Sequence, residues 1–332
     1  MGPLVSIGCA VYNGEATLER ALSRVVAQDY ANLEILVSDD CSTDSSRAIY
    51  EEFARKDPRI KILRNDENVG VTRNFNRLVR ESTGKYFMWA DQDDIRETTF
   101  VSKAVAALEA DPEAVICHSQ TGVFMGDPDD VKYIITLYGV DGVRNRVLRY
   151  LKFLNYYSDT VLYGLIRAEA LKKTELYRQD LGSANALLFD LLLMGKFIQL
   201  PEVLYYYSAR GVRNRPDAKQ EYARANPGKK MPLLYIPFLV LAMNQTKDIR
   251  RAPISLLEKV GLGSVLWGHI SVVTMTKLVY RTLALPFGRV LPEGFTALCD
   301  NIVEPKAHLE FLNDADRDEY LFPKAWMLKG GD

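Results

Sequence analysis

The 332-residue sequence is poor in the residues that build thiolate and imidazole metal sites. It has three histidines (His118, His269, His308) and four cysteines (Cys9, Cys41, Cys117, Cys299). No two cysteines form a CxxC pair and the histidines are too dispersed for a zinc site. The cysteines read as buried, reduced thiols of a cytosolic protein. Charge of one sign is not in excess: 42 Lys+Arg stand against 43 Asp+Glu. That balance gives no reason to expect a nucleic-acid partner. No charged leader precedes the strand-like segment beginning near Leu4, so no signal peptide is expected. There is no GxGxxG after that first strand and no GxxxxGK[ST] anywhere, which argues against a nicotinamide dehydrogenase and a P-loop NTPase. A clean transmembrane run of about 20 apolar residues is also missing. Met231 to Met243 holds Pro232 and Pro237, and Val260 to Phe287 is broken by His269, Lys277 and Arg281. Both stretches read as core helices or a homodimer interface, with a helical pair lying on a membrane surface as the alternative.

What is present is ordinary globular composition, 48% hydrophobic and 26% charged, in a length that fits one large domain or two. The first 120 or so residues alternate between two periodicities. Short apolar runs at Leu4 to Val11, Leu33 to Val37, Ile60 to Leu63, Tyr86 to Ala90 and Ala114 to His118 read as buried strands. Between them, apolar residues recur at helical spacing: Leu18, Ala21, Leu22, Val25 and Val26; Ile49 and Phe53; Phe75, Leu78 and Val79; Phe100, Val101, Ala104, Val105 and Leu108. Strands alternating with helices predict an α/β fold, a mostly parallel sheet flanked by helices. Further on, Val147 to Leu154 predicts a helix, Thr160 to Ile166 a strand, and Ala186 to Met194 an apolar helix.

Ligands in such sheets bind beyond the carboxyl ends of the strands. Polar clusters fall there: Tyr12-Asn13-Gly14-Glu15, Ser38-Asp39-Asp40-Cys41-Ser42, and Asp91-Gln92-Asp93-Asp94, with Asn68 to Asn74 ahead of a helix. Asp91, Asp93 and Asp94 repel one another unless a cation is present. Hard oxygen ligands at this spacing suit Mg²⁺ or Mn²⁺, although such a cluster alone also reads as a solvated turn of helix-capping aspartates. Asp39 offers an acceptor for a base N–H, Asp91 one for ribose hydroxyls, and Arg73 a cation for a diphosphate.

The series VSIGCAVYNGEATLERAL, LEILVSDDCSTDSS and NVGVTRNFNRLVRESTGKYFMWADQDD resembles the second family of inverting glycosyltransferases of the GT-A (Rossmann-like) fold. The resemblance runs over roughly residues 3 to 120. A looser one continues through Tyr163 to Arg167, Gly195 to Phe197 and Leu204 to Tyr207. It implies a transferase domain over 1-230, nucleotide-binding in 1-120 and acceptor-binding in 121-230, with a mainly helical C-terminal region over 231-332. It implies that Ala10, Val11 and Tyr12 line the base pocket and that Glu15 lies beside the ribose or base. Asp39 would bind the base N3–H, favouring a UDP-sugar with a dTDP-sugar possible. Arg73 and Asn74 would hold the donor near its phosphates. Asp91, Gln92 and Asp93 would form the DxD segment, with Asp93 the direct Mn²⁺ or Mg²⁺ ligand. The reaction implied is transfer with inversion to a hydroxyl of a glycan or lipid-linked acceptor, in polysaccharide or glycolipid synthesis.

The family's catalytic base is an Asp at the start of a helix, and Ala184 falls where it is expected. An engineered inactive variant, a natural departure, and a shifted loop with Asp180 as base are all compatible with this. Asp190, inside an apolar helical pattern, reads as a structural carboxylate. A catalytically inactive nucleotide-sugar-binding protein is therefore the competing expectation. A nucleotidyltransferase is disfavoured because the loop after the first strand is acidic, not basic and glycine-rich. Arg210 and Arg213 follow the tyrosine-rich strand, where a basic loop could close over the diphosphate. The expected setting is cytoplasmic, with possible peripheral contact at the inner face of a membrane.

Overall fold

The computed structural model describes residues 2–136, 140, 143–155, 158–179, 183–209, 222, 230, 237–279 and 308–311. Asp180, Arg210, Arg213 and Cys299 lie outside the described residues. The strands are β1 (Val5–Val11), β2 (Leu33–Asp39), β3 (Ile60–Arg64), β4 (Tyr86–Asp91), β5 (Ile95–Arg96), β6 (Ala114–Phe124), β7 (Val131–Thr136), β8 (Leu165–Arg167), β9 (Lys196–Ser208) and β10 (His308–Phe311). The helices are α1 (Leu18–Val26), α2 (Ser46–Lys56), α3 (Val71–Glu81), α4 (Phe100–Ala110), α5 (Arg146–Asn155), α6 (Ala168–Lys172), α7 (Ser183–Met194), α8 (Pro237–Arg251) and α9 (Leu256–Val279). A 3₁₀ helix spans Asp159–Tyr163.

The first four strands form a parallel block in the order β3-β2-β1-β4. The chain moves outward from β1 to β3 and then returns to the other side of β1. This reversal opens a crevice at the carboxyl ends of β1 and β4, the place where open α/β sheets bind ligands. Beyond β4 the sheet turns antiparallel: β8 pairs with β4 and β6, and β7 pairs with β6. The long β9 runs parallel to β6 through several register shifts and antiparallel to the short β5. β10, from the region expected to be mainly helical, adds an antiparallel strand beside β7.

Each strand face has its own core. Val5, Ile7, Cys9 and Val11 of β1 pack with Leu33, Ile35 and Val37 of β2 under α1, α2 and α4. The opposite face buries Leu36, Phe87 and Trp89 under α3, α5, α7, α8 and α9. On that face β1 presents Gly8, where a Cβ would come within 2.8 Å of the Phe87 ring and 3.0 Å of Leu78 Cβ. Glycine there lets α3 lie close against β1. Trp89, fully buried, meets Phe87 edge-on at 5.0 Å and Tyr177 at 5.2 Å. Each large apolar side chain buried in this way contributes about 1.5–3 kcal/mol.

The strands and helices expected in the first 120 residues are present. Beyond residue 120 the structure departs from expectation in one predicted strand. Thr160 to Ile166, read as a strand, is instead the 3₁₀ helix followed by the three-residue β8. Ser158 caps that helix by accepting from the Thr160 backbone N–H at 3.3 Å, which diverts the apolar segment from extended pairing. Cys9 and Cys117 are buried as expected, but Cys41 is exposed because it sits in the loop after β2 with φ 65°. No helix among the described residues is long and apolar enough to cross a membrane.

Candidate active site

The loops after β1 and β2 are laced together. The Asn13 backbone is left-handed (φ 47°), a conformation asparagine tolerates. Its N–H donates to Ser42 Oγ at 3.0 Å and its Oδ1 accepts from the Thr43 N–H at 2.9 Å. The Gly14 N–H donates to Ser46 Oγ at 2.8 Å, and the Glu15 N–H donates to Asp44 at 2.9 Å. Glu15 Oε2 accepts from the Ser45 N–H at 3.0 Å. A third loop joins through Gln92. Its Oε1 accepts from the Tyr12 N–H at 2.9 Å and its Nε2 donates to the Tyr12 carbonyl at 3.1 Å. The Tyr12 ring stays 47% exposed at this junction, free to stack on a planar group.

Ala10 and Val11 end β1, paired with Ser38 and Asp39. Asp39 is buried, with Oδ1 accepting from Ser42 and Oδ2 from the Tyr50 hydroxyl at 3.1 Å. Asp40, which the sequence reading did not assign, holds the entry to α3. It accepts from the backbone N–H of Val69 and of Gly70, each at 2.9 Å, and from Asn65 Nδ2 at 2.8 Å. Asn74 uses its amide on β2, donating to the Ser38 carbonyl at 2.9 Å and accepting from Ser38 Oγ. Arg73, its neighbour in the first turn of α3, is exposed.

At the end of β4, Asp91, Asp93 and Asp94 bring carboxylate oxygens within 4.8 Å of one another. Asp91 Oδ2 accepts from the Tyr163 hydroxyl at 2.6 Å. Asp94 Oδ2 accepts from the Tyr205 hydroxyl and its Oδ1 from the Ser208 N–H at 2.8 Å. Burial pushes the Asp91 carboxyl well above the usual range; the Tyr163 hydrogen bond opposes this and the Asp93 charge adds to it. Burial, then Asp91 and Asp93, raise Asp94 likewise. Arg96 is buried beside them, and its charge acts on Asp91 and Asp94. It donates to the Trp89 carbonyl at 3.3 Å and lies between the Phe100 and Tyr205 rings at 4.6 and 4.7 Å. The close, all-oxygen donor set fits a divalent Mg²⁺ or Mn²⁺ ion.

The structure thus brings together Ala10, Val11, Tyr12, Glu15, Asp39, Asp91, Gln92 and Asp93 around the β1–β4 crevice. It adds Tyr163, Tyr205 and Ser208, to which the sequence assigned no role; Tyr163 and Tyr205 stood only within the looser stretches of resemblance. Ala184 lies in the first turn of α7, partly buried, and no acidic residue stands in that turn. Asp190 is held inside the protein, with Arg178 at 3.4 Å, as a structural carboxylate should be.

The sequence profile of glycosyl transferase family 2 matches residues 6–173, about half of the chain. An uncharacterized glycosyltransferase of Haemophilus influenzae is 39% identical over 107 residues, 32% of this chain and 33% of the relative. An Escherichia coli protein, UDP-Glc:alpha-D-GlcNAc-diphosphoundecaprenol beta-1,3-glucosyltransferase WfgD, is 40% identical over 92 residues, 28% of this chain and 36% of the relative. The matched stretch thus spans about a third of these relatives' length. Among solved structures, S. aureus TarS in complex with UDP superposes with a TM-score of 0.56 at 14% identity, covering 90% of this chain and 78% of that one. That likeness is one of fold, and the fold is GT-A. With the family profile spanning the parallel block and its carboxylate cluster, the chain belongs to glycosyl transferase family 2.

Proposed function

We propose that this glycosyltransferase moves a sugar from a nucleotide-diphosphate donor, a UDP-sugar first and a dTDP-sugar second, to a hydroxyl acceptor with inversion. The acceptor is a glycan or lipid-linked sugar in polysaccharide or glycolipid synthesis. The observation that carries this reading is the three-carboxylate cluster at the end of β4, tied through Gln92 to the interlaced loops after β1 and β2. Relatives with matching sequence support it: one is named for a UDP-glucose donor and a diphosphoundecaprenol acceptor, another for teichuronic acid biosynthesis. The fold neighbour TarS has been crystallised with UDP and with UDP-GlcNAc.

In this reading Tyr12 stacks on the base while Ala10 and Val11 line its pocket. Asp39 accepts from base N3–H, and Glu15 stands by the ribose or base. Arg73 and the Asn74 end of α3 face the phosphates, with Arg210 and Arg213 closing over them. Asp91, with Gln92 on the ribose side, shares the Mn²⁺ or Mg²⁺ with Asp93, its principal ligand. The ion supplies charge neutralisation of the departing diphosphate. A base takes the acceptor proton as its oxygen attacks the anomeric carbon, inverting it. Asp180 is the proposed base. Residues 1-230 form the transferase and 231-332 an extension that contacts a membrane face or a second copy, in a cytoplasmic setting.

Ala184 favours one second reading, a nucleotide-sugar-binding protein without turnover. Thermal shift with UDP, dTDP and GDP, each with and without Mn²⁺, tests the first reading. UDP with Mn²⁺ should raise the melting temperature most; ligand at 100 times its Kd adds about 2.7 kcal/mol. Asp93→Asn should lose the Mn²⁺-dependent part, and no response to any nucleotide would overturn the assignment. UDP release from UDP-sugars then separates the readings. Turnover abolished by Asp180→Asn supports the enzyme; binding without turnover, even in Ala184→Asp, supports the binding protein.

A further inference from the structure

We propose that Tyr163 and Tyr205 are positioning residues that divide the carboxylate cluster, leaving Asp91 and Asp93 to the divalent ion and fixing Asp94 as a strut. The inference rests on the donor site proposed above and concerns how that site is shaped.

The three aspartates are close in sequence but differ in what already holds them. Both Asp94 oxygens accept hydrogen bonds, one from the Tyr205 hydroxyl and one from the Ser208 N–H at 2.8 Å, and the residue is buried. A carboxylate held on both oxygens cannot turn toward an ion without leaving a buried donor unsatisfied, at a cost of about 1–3 kcal/mol. Asp91 is held on Oδ2 alone, by Tyr163 at 2.6 Å; no hydrogen bond engages its Oδ1 among the described residues. Its carboxylate is therefore oriented but still has an oxygen to offer. Asp93 lies between them in the chain and is only partly buried.

The two phenols form one device. Their rings stack at 5.3 Å with 25° between planes, and the Arg96 guanidinium lies over Tyr205 on its way between Phe100 and that ring. The partners of Asp91 and Asp94 thus brace each other as well as the carboxylates. Both come from the acceptor-side half, 72 and 111 residues along the chain from the groups they hold. Tyr163 belongs to the 3₁₀ helix that replaced an expected strand, which places its hydroxyl at the end of β4. Hydrogen bonds that orient ligating groups typically govern metal affinity by 10–100-fold. Accordingly Tyr163 and Tyr205 set metal affinity at the donor site through hydrogen bonds to the carboxylates.

The test is Mn²⁺ titration of the full chain followed by electron paramagnetic resonance, with saturating UDP, beside calorimetric titration of UDP in EDTA. Tyr163→Phe should weaken Mn²⁺ about tenfold while metal-free UDP affinity stays unchanged. Tyr205→Phe should weaken Mn²⁺ less, since it frees a carboxylate that is no ligand. Asp94→Asn should still bind one Mn²⁺ per chain, whereas Asp91→Asn and Asp93→Asn should not. A merely structural role for the tyrosines would lower melting temperature and leave Mn²⁺ affinity at wild type. Wild-type Mn²⁺ affinity in folded Tyr163→Phe, or loss of Mn²⁺ in folded Asp94→Asn, overturns this inference alone. Should Tyr163→Phe fail to fold, Asp94→Asn decides. A wild-type chain that binds UDP but no Mn²⁺ overturns it together with the metal role proposed above.

Discussion

At the residue scale, the clearest stability determinant is a buried carboxylate away from the site. Glu34 accepts from Ser6 Oγ at 2.6 Å, from the Thr83 N–H at 2.9 Å and from Lys61 at 2.6 Å. These join β2 to β1 and to the turn before β4. Burial works to raise this carboxyl, but the bonds from Lys61, Ser6 and Thr83 outweigh it and bring it from 4.5 down to about 2. A group depressed on folding stabilises the fold fully above its unfolded value and loses that contribution as pH falls through the folded one. Wild-type stability should therefore fall between pH 4.5 and about 2. In Glu34→Gln that limb should flatten, and stability at pH 7 should drop by about 1–3 kcal/mol through the unsatisfied donors. Urea denaturation across that pH range checks both; an unchanged acid limb would remove Glu34 from the account. Glu34 was not visible as such in the sequence, because an acidic residue inside a strand carries no sign of the donors that three separate segments bring to it.

At the scale of elements, Asp40 shows how a loop residue sets a helix. The first N–H groups of a helix lack intrahelical partners, and a carboxylate there also meets the positive end of the helix dipole. Asp40 meets Val69 and Gly70 just ahead of α3, where Gly70 adopts φ 87° as N-cap. Asp40→Ala should cost about 1–3 kcal/mol and should weaken UDP binding, because α3 carries Arg73. Calorimetry with UDP should show that loss, and Asp40→Asn should show a smaller one. The parallel block was legible because its central strands, buried on both faces, are short apolar runs and its helices bury one face at a period of 3.6, so both signals appear in consecutive residues. The stretch that follows it was not. β9 follows β6 through register shifts that break the period, and Thr160 to Ile166 has β-branched, apolar residues but is bent into a 3₁₀ helix by its cap. Of the site, the loop residues at strand ends were readable from position alone. Tyr163 and Tyr205 reach their partners across most of the domain, and no local spacing encodes that.

At the scale of the whole molecule, ion pairs join the C-terminal helices to the rest of the protein: Arg146 to Glu258 at 2.6 Å, Arg251 to Glu175, and a buried junction at Arg178. Arg178 donates to Asp248 of α8 at 2.7 Å and to Asp190 of α7 at 3.4 Å, and to Glu175 at 3.0 Å. Beside it Ile249 of α8 and Leu262 and Leu266 of α9 enter the same core as Phe153 and Phe189. Burial raises the Asp190 carboxyl, and the Asp248 charge raises it further, against the pull of Arg178. Removing the arginine leaves two carboxylates facing each other without a cation, so Arg178→Met should lose about 3–5 kcal/mol where Asp190 is ionised, above about pH 8. Below that value burial holds Asp190 protonated in the fold, so the deficit should shrink as pH falls through about 8. Denaturation midpoints of wild type and variant at about pH 6 and about pH 10 measure this difference. A deficit independent of pH would mean that packing of the arginine stem, not its charge, joins α8 to α7. Mn²⁺ binding with UDP should survive in Arg178→Met, because Tyr163, Tyr205 and Ser208 hold the carboxylate cluster whereas Arg178, among the described residues, bonds to Glu175, Asp190 and Asp248.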